Sequence, residues 1–144
     1  MPKIILEKII KADRKKVFDL TTNYENFQKI LPQYYPSIRI ISSRGNTSVV
    51  EEHIRIAERE LVMMVKHVID TPILHEIFVI GGDAKGTHII QRYESIPHGT
   101  KLTLEVDWKL KGVMKLSNFF GKDKIPNEYS KMIDEFAVIA EALV

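Results

Sequence analysis

The chain has 144 residues, of which 44% are hydrophobic and 28% charged, with a formal net charge of +2 at pH 7. This length and composition suit one globular domain, and so balanced a charge gives no basis for a nucleic-acid partner. The sequence contains no cysteine, which excludes disulfides, thiolate metal sites and a cysteine nucleophile.

The amino terminus has no apolar run of the kind that marks a signal peptide, and no stretch reaches the roughly 18 apolar residues of a membrane span. We therefore expect a cytoplasmic protein that folds as a single domain over residues 1–144.

The first part of the chain predicts one strand and two short helices. Residues 3–11 are rich in isoleucine, which favours a strand. Asp13 stands where a helix N-cap is expected, because its carboxylate can accept hydrogen bonds from the first turn. A second helix is expected at about 25–31, capped by Asn23 and ended by Pro32. The apolar sides of these two helices contain Val17, Phe18, Leu20, Phe27, Ile30 and Leu31.

From residue 38 onward the apolar residues alternate with a period of two, which predicts six further strands. Their expected ranges are about 37–44, 47–57, 60–70, 73–81, 86–96 and 100–111. Glycine, proline and asparagine occupy most of the short connections, which indicates hairpins and an antiparallel meander. In the last strand Leu102, Leu104, Val106, Trp108 and Leu110 alternate with polar residues, so one face of the sheet is buried.

The C-terminal segment predicts a long helix that covers the buried face of the sheet. Pro126 suits its first turn, and the apolar residues that follow recur at helical spacing. They are Ile125, Tyr129, Met132, Ile133, Phe136, Ala140 and Leu143.

A shorter apolar stripe, residues 113–120, precedes this helix and includes Phe119 and Phe120. One interpretation is that it completes the core. The other is that it forms a lip, hinged at Gly112 and Gly121 and flanked by lysines, that opens a pocket or makes transient contact with an anionic membrane. Both interpretations stay open at this point.

The stretch from Ala12 to Pro32, with its Tyr24-Glu25-Asn26 turn and its Leu31-Pro32 stop, resembles the opening of known domains. Together with the order of elements, it resembles the helix-grip superfamily of START, birch-pollen-allergen and polyketide-cyclase/dehydrase domains (SRPBCC). The N-terminal motif is most similar to the coenzyme Q-binding-like branch.

This resemblance implies an α+β fold of order β-α-α-β6-α, in which a seven-stranded curved antiparallel sheet wraps around the long C-terminal helix and leaves an internal apolar cavity. It also implies a family of carriers, chaperones, receptors and a few enzymes. The fold alone therefore does not decide the function.

A pocket is also expected on physical grounds, because a strongly bent sheet gripped by one helix encloses more volume than its side chains readily fill. At about 24 cal/mol per Å³, a cavity of even ~300 Å³ would cost several kcal/mol, so we expect a ligand to use it. The alternative is a filled core in which the same large residues pack together.

Alternation also places polar residues on the inner face of the sheet. The side chains concerned, each with its expected neighbours, are Glu52 (with Val50, Ile54 and Ile56), His67 (with Leu61, Met63, Val65 and Ile69), His75 (with Ile73 and Ile77) and Gln91 (with Ile89 and Tyr93). In the strand at 73–81 the register is ambiguous, since Leu74, Phe78 and Ile80 compete for the same face. An unpaired buried polar group costs roughly 1–3 kcal/mol, so these side chains should meet one another or a ligand, unless they lie at the sheet's ends.

His67 and Glu52 are the candidates for acid–base chemistry, because an imidazole can carry protons near neutral pH. No motif for a nucleophile or a phosphate loop accompanies them. The five histidines lack the close spacing of a metal site, so we predict no metal and no cofactor.

The sequence thus predicts a non-enzymatic protein that binds or carries a small hydrophobic ligand, such as a lipid, an isoprenoid quinone or a polyketide-like compound. One alternative is a polyketide cyclase- or dehydratase-like enzyme that uses His67 and Glu52. The other is a protein-interaction module related to coenzyme Q-binding chaperones, docking through a strand edge or the Phe119–Phe120 region. The predicted ligand-binding residues are Phe18, Phe27, Glu52, Ile54, Met63, Val65, His67, Ile89, Gln91, Tyr93, Leu104, Val106, Trp108, Phe119, Phe120, Met132 and Phe136.

Overall fold

A computed structural model describes residues 3–56, 58–109 and 124–143 of the chain. Its described elements follow the expected order of one strand, short helices, six strands and a long helix. They are β1 (Ile4–Ile10), α1 (Arg14–Thr22), a 3-10 turn (Tyr24–Asn26), α2 (Phe27–Ile30), β2 (Ser37–Arg44), β3 (Thr47–Ile56), β4 (Arg59–Asp70), β5 (Leu74–Gly82), β6 (His88–Ile96), β7 (Gly99–Asp107) and α3 (Lys124–Ala142).

The strands form one seven-stranded sheet in the order β1-β7-β6-β5-β4-β3-β2. Every neighbouring pair is antiparallel, so β2 to β7 form the predicted meander. The first strand joins the far side of this meander, with Ile4 opposite Val106 and Ile10 opposite Thr100. Shifts of register between Ile40 and Ser42 and between Met64 and Val65 mark bulges, which bend a sheet. The seven-stranded curved antiparallel sheet is therefore confirmed, with β1 and β2 at its edges.

The two short helices lie between β1 and β2 in the chain. Asp13 caps α1 as predicted, since its carboxylate accepts a hydrogen bond from the Lys15 backbone N–H at 3.2 Å. The prediction of one helix capped by Asn23 is wrong in detail, because the Asn23 side chain makes no capping bond. Its backbone carbonyl instead accepts from the Asn26 N–H at 3.0 Å, which closes a 3-10 turn before α2 begins.

The long helix α3 buries one side against the rest of the molecule. Lys8 ties it to β1, because its ammonium group donates to Ser130 Oγ at 2.7 Å and pairs with Asp134 at 2.9 Å. Leu143, which was predicted to continue the apolar stripe, is 59% exposed because the helix ends at Ala142. The buried stripe consists of Ile125, Tyr129, Met132, Ile133, Phe136 and Ala140. The predicted lead-in at 113–120 lies outside the described residues, and none of the described helices is long and apolar enough to cross a membrane.

The structure resolves the ambiguous register of β5. His75 and Val79 are buried on the inner face, whereas Ile80 is 45% exposed and Phe78 stacks on His88 with ring centroids 4.5 Å apart. Ile73 was predicted to share the inner face but is 45% exposed. It lies in the turn before the strand, where its N–H donates to the Asp70 carbonyl at 2.8 Å.

Candidate functional site

A cavity lies between the inner face of the sheet and α3. Its volume is about 60 Å³, within a wider gap of about 700 Å³ that includes the solvent at its mouth. Since one water needs roughly 10–15 Å³ on this measure, the cavity has room for several water-sized groups. At about 24 cal/mol per Å³ an empty space of this size costs about 1.4 kcal/mol, far less than a 300 Å³ void would. The core between sheet and helix is therefore not completely filled.

The cavity wall is mainly apolar and is built by β3 to β6, the residue after β7, the short helices and α3. Its apolar and aromatic members are Phe27, Tyr35, Ile54, Ile56, Leu61, Met63, Val65, Ile77, Val79, Ile89, Trp108, Tyr129, Met132, Ile133 and Phe136, and its polar members are Thr21, Glu52, His67, His75, Thr87 and Gln91.

Most of the predicted ligand-binding residues line this cavity, although their role in binding stays a prediction. Four do not reach it: Phe18, Tyr93, Leu104 and Val106 are buried elsewhere in the core. Phe18 and Tyr93 pack edge to face, with centroids 4.9 Å apart, where α1 covers β6 and β7. Alternation predicts which face a side chain occupies but not which helix covers it. Phe119 and Phe120 lie outside the described residues.

Several lining residues were not among the predicted ligand-binding residues. Their spacing placed His75 on the inner face of the sheet and Tyr129 on the apolar side of the long helix, so the sequence contained the information needed to predict both. Tyr35 follows α2 in an irregular segment, where periodicity carries no information. Thr87 directly precedes β6 and accepts a hydrogen bond from the Lys109 N–H at 2.9 Å, a contact between distant parts of the chain that no local pattern reveals.

A chain of short hydrogen bonds runs across four adjacent strands at the cavity wall. His67 Nε2 and Glu52 Oε2 lie 2.6 Å apart, and His67 Nδ1 and His75 Nε2 lie 2.8 Å apart. His75 Nδ1 and Gln91 Oε1 are separated by 2.8 Å. All four residues are at most 5% exposed, so these bonds form away from water. The expectation that the inward polar residues meet one another is met by this geometry.

Three hydroxyl groups extend the chain from Gln91 toward the helices. The Gln91 Nε2–H donates to the Tyr129 hydroxyl at 3.1 Å, and the Tyr93 hydroxyl donates to Gln91 Oε1 at 2.9 Å. Tyr93 in turn lies 2.6 Å from Thr21 Oγ1 on α1. The Tyr24 ring stacks on His67 with centroids 4.1 Å apart. The network therefore joins the sheet to both α1 and α3.

The proton positions in this network follow from the chemistry of its members. With the Gln91 amide as the structure orients it, Oε1 is an acceptor, so His75 must donate from Nδ1. Burial, reinforced by the charge of His67, holds the pKa of His75 well below its ordinary value of 6.5. The ring is then neutral with Nε2 as an acceptor, and His67 donates to it from Nδ1. A further hydrogen bond joins His67 Nε2 to Glu52 Oε2 at the other end of the network.

Burial also keeps the aromatic hydroxyls protonated. It raises the pKa of Tyr129 above its ordinary value of 10, although the bond from Gln91 opposes the shift. The pKa of Tyr35, which lines the same cavity, is raised well above 10 by burial and then by the charge of Glu52. Both groups are therefore hydrogen-bond donors over the whole physiological pH range.

The described residues of the wall show no arrangement for a metal ion. Antiparallel pairing does bring His67 and His75 together, but their facing nitrogens bond to each other. Within the three described segments, no group of three His, Cys, Asp or Glu side chains is placed to hold a metal ion.

Comparison with known proteins finds no protein-family model that matches the chain and no curated protein with a similar sequence. Solved structures do match over almost the whole chain. A START superfamily protein from Mycobacterium smegmatis has a TM-score of 0.82 at 13% identity, covering 99% of both chains. The Zhui aromatase/cyclase from Streptomyces sp. R1128 has a TM-score of 0.75 at 11% identity, covering 97% of this chain and 93% of its own. Major latex-like protein 151 from Panax ginseng has a TM-score of 0.75 at 17% identity, covering 98% and 95%.

These similarities confirm the helix-grip fold that the sequence predicted. Because all three identities are below 20%, they show a shared fold and no more. The similarity to the coenzyme Q-binding-like branch stays a prediction.

Proposed function

We propose that this helix-grip protein binds a small, mainly apolar molecule in the cavity between its sheet and α3, with a polar group of that molecule at the buried network. The observation that carries the proposal is the unfilled cavity itself, lined by apolar side chains and closed on one wall by Glu52, His67, His75 and Gln91. Burial of apolar ligand surface at about 25 cal/mol per Å² would supply most of the affinity.

The present cavity is smaller than the roughly 300–1,000 Å³ typical of sites for drug-sized ligands. A larger ligand therefore requires the wall to repack. Met63 and Met132 line the cavity from the sheet and from α3. Methionine side chains are unbranched and adapt to irregular spaces, so these two residues are suited to making room.

Binding is tested with N-phenyl-1-naphthylamine, a neutral apolar dye that fluoresces when it leaves water. Val65→Phe fills space at the cavity wall, whereas Val62→Phe adds the same side chain on the outer face of the same strand, where Val62 is 42% exposed. We expect the Val65 variant to bind the dye at least about tenfold more weakly, while the Val62 variant stays within about twofold of the wild type.

The thermal midpoint of each variant shows whether it is folded at the assay temperature. If the wild type fails to bind the dye, or if both variants bind like the wild type, the cavity is not a binding site.

A second candidate function is acid–base catalysis on a carbonyl compound, as in a cyclase or dehydratase. It is favoured by one specific observation, the 2.6 Å contact between His67 and Glu52 at the cavity wall. Such a pair can take a proton from the carbon next to a carbonyl while the C–H electron pair forms an enolate, and can then return a proton. The alternative proposal needs both side chains inside the molecule, and their exposed fractions are 4% for His67 and 7% for Glu52.

This second candidate is tested by deuterium exchange into the methyl group of acetophenone in D₂O, followed by NMR. An enzyme would accelerate the exchange, and His67→Gln should slow it by about 10²-fold or more. Equal rates with and without the protein would reject catalysis and leave the binding proposal standing.

A further inference from the structure

The indole of Trp108 carries a buried hydrogen-bond donor that has no partner. The residue follows β7, is 7% exposed, and lines the cavity. Its Nε1 makes no hydrogen bond to any part of the chain that the structure describes. A buried donor without an acceptor is costly, and nearly all such groups in folded proteins are paired. The indole N–H is therefore available for an acceptor on a bound molecule.

A second donor stands beside it on α3. Tyr129 packs edge to face on Trp108, with ring centroids 5.5 Å apart, and lines the same cavity. Its hydroxyl oxygen accepts the hydrogen bond from Gln91 Nε2, so its own proton is not used by that contact. Among the described residues, no acceptor is found for this proton.

The same wall does not suit an anion. Glu52 lines the cavity, and the described lining residues include no lysine or arginine that would pair with a negatively charged ligand. An unpaired charge is far more costly to bury than a neutral polar group. An acceptor that enters this site should therefore be uncharged.

Resting on the binding function proposed above, we infer that the ligand is a neutral apolar molecule with a carbonyl-type acceptor, and that Trp108 donates the specifying hydrogen bond to it from Nε1 with Tyr129 as the neighbouring donor. Ketones, quinones and esters carry such an acceptor without charge. Hydrocarbons lack the acceptor, and carboxylates bring an unpaired charge.

Trp108 is the only tryptophan in the sequence, so its indole gives one unambiguous N–H signal in a ¹H–¹⁵N NMR spectrum. The test titrates the protein separately with acetophenone, ethylbenzene and benzoate, three single-ring probes that differ chiefly in the polar group. Methyl signals of the cavity isoleucines report binding independently of the indole. We expect acetophenone to move the indole proton downfield as it saturates the methyl shifts, ethylbenzene to bind without that move, and benzoate to bind at least about tenfold more weakly than acetophenone.

Two variants separate the hydrogen bond from the shape of the site. Trp108→Phe keeps an aromatic ring and removes the donor, and should weaken acetophenone about 3- to 10-fold while changing ethylbenzene within about twofold. Tyr129→Phe removes only a hydroxyl and should also act mainly on acetophenone. A variant that weakens both probes equally shows a change of shape and contradicts the inference.

The same titrations distinguish failure of the proposed binding function from failure of the proposed carbonyl specificity. If no probe moves the methyl signals, the binding function and this inference both fall. If acetophenone and ethylbenzene bind but the indole signal stays in place, the binding function stands and the carbonyl specificity is wrong.

Discussion

His75 is the central residue of the buried network and links its two ends. Each of its ring nitrogens has a partner at 2.8 Å, His67 on β4 and Gln91 on β6. Replacing it with an apolar residue of similar size would leave the Nδ1 donor of His67 unpaired and would remove one of the two hydrogen bonds that Gln91 Oε1 accepts. An unpaired buried donor costs about 1–3 kcal/mol, and a lost hydrogen bond costs about 1 kcal/mol.

We therefore expect His75→Leu to lower the free energy of unfolding by about 2–5 kcal/mol, as measured by urea denaturation. His53→Gln is the matched control, because His53 is 28% exposed and makes only long contacts of 3.6 and 3.9 Å to carboxylates. Its loss should stay below about 1 kcal/mol. Equal losses in the two variants would contradict the prediction.

The same residue gives stability a dependence on pH. The pKa of His75 is held well below 6.5 in the folded chain by burial. At pH values between the lowered pKa of the folded chain and the ordinary pKa of 6.5, His75 binds a proton in the unfolded chain but not in the folded chain. The free energy of unfolding should therefore fall as the pH is lowered from about 7 to about 5, with His75 contributing up to about 1.4 kcal/mol per pH unit.

Urea denaturation at several pH values measures how the free energy of unfolding depends on pH. His75→Gln should reduce the number of protons taken up on unfolding by about one, which makes this dependence weaker. An unchanged slope in the variant would show that other groups carry the dependence.

Among the elements, β5 depends on a close backbone approach at its end. Gly82 has a positive φ of 80°, and a Cβ added there would overlap the carbonyl oxygen of Val62 on β4. The neighbouring Gly81 has ordinary room, since its added Cβ would lie 3.5 Å from the Met64 Cβ. The two glycines face β4 just beyond its bulge, where Met63 and Val65 line the cavity.

We expect Gly82→Ala to destabilise the protein by about 1–3 kcal/mol, whereas Gly81→Ala should change stability by less than about 0.5 kcal/mol. Thermal or urea unfolding measures both. A large loss for Gly81→Ala alone would mean that the approach of β5 to β4 is described wrongly.

The strands were predictable because each has one dry and one wet face. On β7, Leu102, Leu104 and Val106 are at most 1% exposed and alternate with half-buried polar residues, as their spacing indicated. The ends of the strands were harder to predict, because they depend on contacts with other parts of the chain. Ile73 has the apolar character of a strand residue, yet its carbonyl accepts from the Tyr93 N–H at 2.9 Å and it lies in a turn.

At the scale of the whole molecule, the tyrosines couple stability to high pH. Burial raises the pKa of Tyr24, Tyr35, Tyr93 and Tyr129 above 10 in the folded chain. The unfolded chain loses these protons near pH 10 while the folded chain retains them, so the free energy of unfolding should fall as the pH rises above about 10.

Absorbance of tyrosinate against pH checks this prediction. We expect the signal of the buried tyrosines to rise together with loss of the circular dichroism of the fold, in one cooperative step. Tyr34 is only half-buried, so an earlier rise equivalent to one tyrosine is expected from it. An earlier rise larger than one tyrosine in a folded protein would show that the buried hydroxyls are open to solvent.

The inward position of Glu52, His67 and Gln91 could be predicted from alternation within single strands. Their connection through His75 could not, because it depends on the register between β3, β4, β5 and β6 and on rotamers that adjacent strands select. The size of the cavity could not be predicted from the sequence either. It is the small difference between the space the sheet and α3 enclose and the volume of the side chains that enter it.

The pairing of β1 with β7 has a consequence for synthesis on the ribosome. Residues 4–10 pair with residues 100–106, so β1 leaves the ribosome well before the strand with which it pairs. The hairpins from β2 to β7 need only local contacts and are free to form first, whereas closing a loop of this length is slow. Until then β1, with Ile5 and Ile9 on its outer side, is an unpaired apolar segment of a nascent chain and a binding site for a chaperone.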